Sequence, residues 1–233
     1  MLLSNRAALV LGDDEIAAGI AQRFELEGAL VESAPWPANM PIAQLVAARI
    51  AQLGHLDILV LSPLCKATVC PLSGADEDAI DASLSRVSST QTAMRAAFPS
   101  LSRGGRGRIL LIGHAYGEAV NEGLTAYNSA AWALIGLARS AAVEWGAHQI
   151  TTNLLLPLAQ TRELETARNR RPQIIDRLIA QLPLRRVGDP VQDIGGAAAL
   201  VVSDLMRFVN GAVIHADGGQ HVAGAVLNPA KFI

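Results

Sequence analysis

The chain has 233 residues, of which 51% are hydrophobic but only 4% aromatic, so one α/β domain spanning 1–233 is expected, with a mainly aliphatic core. A formal net charge of -2 leaves no basic excess to neutralise phosphates, which argues against a nucleic-acid partner. The opening Met-Leu-Leu-Ser-Asn-Arg lacks the apolar stretch of a secretion signal, and no apolar run reaches the roughly 18 residues that span a bilayer, so a cytoplasmic protein without a membrane segment is expected.

Short apolar runs alternate with longer amphipathic ones, the pattern of βαβ units around a parallel sheet. The first strand is expected at 7–11 and the first helix at 16–27, with Gly12-Asp13-Asp14-Glu15 between them. A strand at 29–33 precedes the breaker Pro35-Trp36-Pro37, followed by a helix at 41–53 and a strand at 58–61. Cys65 and Cys70 fall in the next loop and are expected as free thiols rather than a disulfide. A helix at 77–98 leads into the basic, glycine-rich run 103–108, read as a solvated connection, and a strand at 108–112. A helix at 126–146, a strand at 152–156, helices at 163–181 and 191–203 and a strand at 212–215 complete the order.

Several blocks carry a resemblance. Ile20-Ala21-Gln22-Arg23-Phe24 with Glu27-Gly28-Ala29, then Gly54-His55-Leu56-Asp57-Ile58-Leu59-Val60, then Tyr127-Asn128-Ser129-Ala130-Ala131, stand in order. Ile150-Thr151-Thr152-Asn153 with Pro157, the segment Pro183 to Pro190, and Asn210-Gly211-Ala212 through Asp217-Gly218-Gly219 continue the series. Together they resemble the short-chain dehydrogenase/reductase family over nearly the full length. The resemblance implies a Rossmann-like doubly wound parallel sheet, here lacking the helix and edge strand that follow the second strand.

The family seats a dinucleotide diphosphate on a glycine-rich turn at the first helix, where bare N–H groups and the helix dipole meet the phosphates. In this chain the turn is one residue short: Glu15 and Ala17 take glycine positions and only Gly12 remains. Asp13, Asp14 and Glu15 would face an incoming diphosphate, each like-charge pair costing on the order of 3–4 kcal/mol at an effective dielectric of 20. The same carboxylates also suit a helix cap and the helix dipole. Pro35 falls where the family reads the ribose, and Leu61-Ser62-Pro63-Leu64 replaces the family's Asn-Asn-Ala-Gly. These positions predict a vestigial turn and no bound cofactor; no metal site is expected.

At the catalytic positions implied by the resemblance, Tyr127 stands where the family has its acid/base tyrosine. His114 takes the serine position 13 residues upstream, Ala131 the lysine position four residues downstream, and Ser83 the helix asparagine position. An ordinary phenol titrates near 10, so about one in a thousand is ionised at neutral pH, and the missing lysine removes part of what would change that. His114 is read either as a hydrogen-bond partner of Tyr127, as a base titrating near 6.5, or as a polar residue without chemistry.

The helix over 126–146 is rich in small residues (Ala130, Ala131, Ala133, Gly136, Ala138), which suits a helix-bundle interface between subunits. The combined pattern predicts a catalytically incompetent subunit of a homo- or hetero-tetramer, paired with an active homologous subunit. Two alternatives stand beside it: a divergent NAD(P)-dependent oxidoreductase using Tyr127 and His114, and a cofactor-independent lyase or isomerase on the same fold.

Overall fold

A computed structural model describes residues 1–37, 40–63, 69, 71–74, 77–114, 120 and 122–223. Cys65, Cys70 and Leu64 lie outside the described residues. Six parallel strands form one sheet in the order β2-β1-β3-β4-β5-β6: β1 Ala7–Leu11, β2 Leu30–Ala34, β3 Ile58–Leu61, β4 Arg108–Ile112, β5 Thr151–Pro157 and β6 Val213–Ala216. Every residue of β1, β3, β4 and β5 is buried, as expected of central strands covered on both faces.

The strand period of two divides these residues between two cores. Leu9, Leu11, Leu59, Leu61, Ile109 and Leu111 pack under α2 (Ile42–Leu53), α3 (Glu77–Leu101) and α4 (Thr125–Trp145). Val10, Ile58, Val60, Leu110 and Ile112 pack under α1 (Glu15–Leu26) and α7 (Gly196–Val202). β2 is one edge of the sheet and β6 the other, and among the described residues the chain passes from β2 to α2 with no further strand between. The expected loss of the outer strand is therefore seen, and the core stays closed because that strand would have been peripheral.

Three expectations change. The helix expected over 163–181 is two helices, α5 Arg162–Arg170 and α6 Pro172–Gln181, because Pro172 cannot donate a backbone hydrogen bond and starts a new helix instead. The helix expected from 191 opens as a π-helical turn, Pro190–Gly195, before α7. This turn lies so close to α1 that a Cβ on Gly19 would sit 2.6 Å from the carbonyl carbon and oxygen of Pro190.

The basic run 103–108 is more than a solvated connection. Arg106 Nε donates to buried Asp57 at 3.0 Å, and Arg108 is itself buried and donates to Asp204 at 3.1 Å. Arg6 reaches Asp204 as well, at 3.0 Å, which ties β1, β3 and β4 to the turn after α7. This network gathers at the N-terminal ends of the strands, opposite the candidate site. The short helix α8 (Gln220–Ala223) ends the described chain, and no helix among the described residues is long and apolar enough to cross a membrane.

Candidate active site

The chain leaves β1 toward β2 on one side and returns to β3 on the other, which opens a crevice at the C-terminal ends of these strands. A cavity of about 410 Å³ lies there, its lining including Gly12, Asp13, Asp14, Glu15, Pro35 and Arg162. Gly12 has to be glycine, since a Cβ would come within 2.6 Å of Ala17 Cβ and 2.8 Å of Ser62 Cβ.

Asp14 is the N-cap of α1: its Oδ1 accepts from the Ala17 N–H at 2.7 Å, and its Oδ2 accepts from the Ser62 hydroxyl at 2.7 Å. Burial holds the Asp14 carboxyl above the usual carboxylate range, partly opposed by the hydrogen bonds from Ser62 and Ala17. The other two acids of the turn border the same cavity and have partners of their own. Asp13 accepts from the Trp36 N–H at 2.9 Å, and Glu15 pairs with Arg162 at 2.9 Å. All three carboxylates border the cavity that would take a diphosphate, each held by a tertiary partner. Glu32 pairs with Arg49 of α2 at 3.2 Å.

The family's nicotinamide dinucleotide can be tested against this geometry. The crevice has room, and Gly12 keeps its close turn. The α1 terminus, however, already holds an anion of the protein's own, and the Ala17 N–H that would meet a phosphate is taken. A diphosphate in the family's usual seat would meet the Asp14 carboxyl, so the side chains oppose that seat while the crevice beside it stays open.

A second, smaller cavity of about 40 Å³ adjoins the ends of β3 and β4. Tyr127 enters it from the first turn of α4, and His114 from the residue pair after β4. Their rings meet edge to face, centroids 5.7 Å apart at 81°. Burial pushes His114 down to about 4, so it is neutral at pH 7, and the reading of it as a base near 6.5 is corrected. Ala131 lines the cavity one turn beyond Tyr127, and Ser83 lines it from α3.

The sequence reading missed Arg86. Ser83, Arg86 and Val87, at helical spacing on α3, share the cavity wall facing Tyr127, Ala130, Ala131 and Leu134 of α4. The Arg86 guanidinium lies 5.4 Å from the Trp36 ring centre, with Nη1 3.9 Å from Asp13. The signal available was that spacing, one turn past Ser83. Among the described residues, no group of three or more His, Cys, Asp or Glu is placed to hold a metal ion.

A sequence profile described as enoyl-(acyl carrier protein) reductase matches residues 38–221. The chain belongs to the short-chain dehydrogenase/reductase family. It is 30% identical over 172 residues to a 12alpha-hydroxysteroid dehydrogenase of a Clostridium species, which covers 73% of this chain and 66% of that enzyme. It is 28% identical over 225 residues to the 3-oxoacyl-[acyl-carrier-protein] reductase FabG of Staphylococcus aureus, covering 94% of this chain and 88% of FabG. A solved dehalogenation enzyme superposes with a TM-score of 0.84 at 23% identity, over 94% of this chain and 99% of its own, a likeness of fold.

These relatives overturn the expectation of a catalytically incompetent subunit. The relatives named above are a dehydrogenase and a reductase, and neither name points to a non-catalytic role. The expectation rested on the changed phosphate turn, the missing outer strand and the replaced serine and lysine positions. It had no view of Arg86, which α3 brings to the same cavity.

Proposed function

We propose that this chain is an oxidoreductase that interconverts a hydroxyl and a carbonyl group in the cavity between α3, α4 and the end of β4, with Tyr127 handling the proton at the substrate oxygen. The observation that carries the reading is the placement of Tyr127: it is the family tyrosine by sequence and lines a cavity beside the crevice at the C-terminal strand ends. The names of the relatives support the same reaction type.

In reduction the phenol donates its proton as the carbonyl oxygen gains charge, and in oxidation the phenolate accepts it. His114, neutral and packed edge-on, holds the Tyr127 ring without adding charge. Leu134, Val87 and Pro63 keep the remaining wall apolar, which strengthens the polar contacts made inside. In this family the hydride partner is a nicotinamide cofactor, and Asp14 opposes the usual seat of its diphosphate.

The test is turnover by the purified chain, followed at 340 nm with NADH and NADPH against ketones, hydroxyacyl thioesters and their reduced forms. Substrate-dependent absorbance change that disappears in Tyr127→Phe supports the reading; no turnover with any pair defeats it. The reading extends to assembly as a homo-oligomer through α4, whose Trp132 and Val143 are exposed and whose Gly136 has open space where a Cβ would stand.

A further inference from the structure

Arg86 is held in an unusual way for a buried-edge arginine. Its Nη1 is inaccessible to solvent and makes no hydrogen bond, and Asp13 at 3.9 Å is too far to accept one. Asp13 is committed to the Trp36 N–H through its other oxygen, and Trp36 lies against the guanidinium, so the arginine is positioned by stacking and long-range charge. A bidentate carboxylate bridge would have used its donor fork. Nη1 lies on the Asp13 side of the guanidinium, and Arg86 also lines the Tyr127 cavity.

The rest of that cavity wall offers Arg86 no competing charge. Its lining is Pro63, Val87, Gly113, Leu134 and two alanines, with Ser83, Tyr127 and the neutral His114. Arg86 is therefore the one cation among the described residues that line it. The cavity is small, about 40 Å³, and Arg86 and Tyr127 both line it.

We propose that Arg86 receives an anionic group of the substrate, so that the substrates of this site are small carbonyl or hydroxy compounds bearing a carboxylate or similar anion. The proposal deepens the oxidoreductase reading and rests on Tyr127 marking the reacting oxygen. A guanidinium suits this task because a planar anion can take two of its N–H groups at once, and the apolar surroundings magnify the loss when the anion is replaced by a neutral group.

The test uses pyruvate, acetoacetate and levulinate, each beside its methyl ester, titrated calorimetrically into the full chain and into Arg86→Met and Arg86→Lys, with folding checked by circular dichroism. At least one acid binds the native chain ten-fold or more tightly than its ester. That preference disappears in Arg86→Met, survives in part in Arg86→Lys, and weakens with added salt in the native chain. Equal binding of every acid and ester, no binding of any acid, or an acid preference that persists in Arg86→Met overturns the proposal. The same compounds are then followed at 340 nm with NADH and NADPH. Acid-selective binding without turnover keeps the anion site and removes the oxidoreductase reading, whereas equal turnover of acids and esters does the reverse.

Discussion

Asp14 caps α1 with one carboxylate oxygen and accepts the Ser62 hydroxyl with the other, so one side chain both finishes the helix and occupies its anion seat. Asp14→Ser keeps a capping oxygen and removes the charge, which should hold stability within about 1 kcal/mol and tighten NADH or NADPH binding at least ten-fold, read by nucleotide fluorescence. At Tyr127, the phenylalanine variant should lose on the order of 10²-fold or more in kcat with little change in stability, because only the proton-bearing oxygen is removed. His114 gives a pH signature. Its folded value of about 4 lies below the ordinary 6.5, so the unfolded chain takes up the proton first as pH falls. Stability is full above about pH 6.5 and declines toward pH 4 by on the order of 3 kcal/mol from this group. Urea denaturation at pH 7 and pH 4.5 should show that decline in the native chain and a smaller one in His114→Gln.

Among the elements, the crossing of α1 with the Pro190–Gly195 turn is a tight packing that bears on the site. Gly19 and Gly195 let the two backbones approach, and a Cβ on Gly195 would sit 2.6 Å from Arg23 Cβ. Gly19→Ala should therefore cost about 1–3 kcal/mol, seen as a lower urea midpoint with an unchanged slope, and should loosen the α1 terminus that Asp14 caps. The pairing of α3 with α4 is what makes the cavity, since Ser83, Arg86 and Val87 repeat at helical spacing opposite Tyr127, Ala130 and Leu134. Each of these stripes can be read along its own helix. That they face one another follows only when both helices lie on the same side of the sheet.

At the scale of the whole molecule, β2 closes one edge of the sheet, with exposed Leu30 at its start and the Glu32–Arg49 pair along it. The opposite helical face carries Trp132 at 47% and Val143 at 82% exposure, which a monomer would leave in water. If α4 joins subunits as proposed, light scattering after size exclusion should give a mass of a whole-number multiple of the 24.5 kDa chain, and Val143→Glu should lower it.

The amino-acid pattern by itself determined the parallel sheet, the missing outer strand and the place of Tyr127, because strand and helix periods and the spacing of short motifs are local properties. It also showed that Gly12 survives where other glycines are gone. Which carboxylate fills the α1 terminus was decided in three dimensions, where Ser62, Trp36 and Arg162 each claim one acid of the turn. The neutrality of His114 and the arrival of Arg86 were settled there as well. Burial and charge depend on atoms brought from distant parts of the chain, and no spacing along the sequence encodes them.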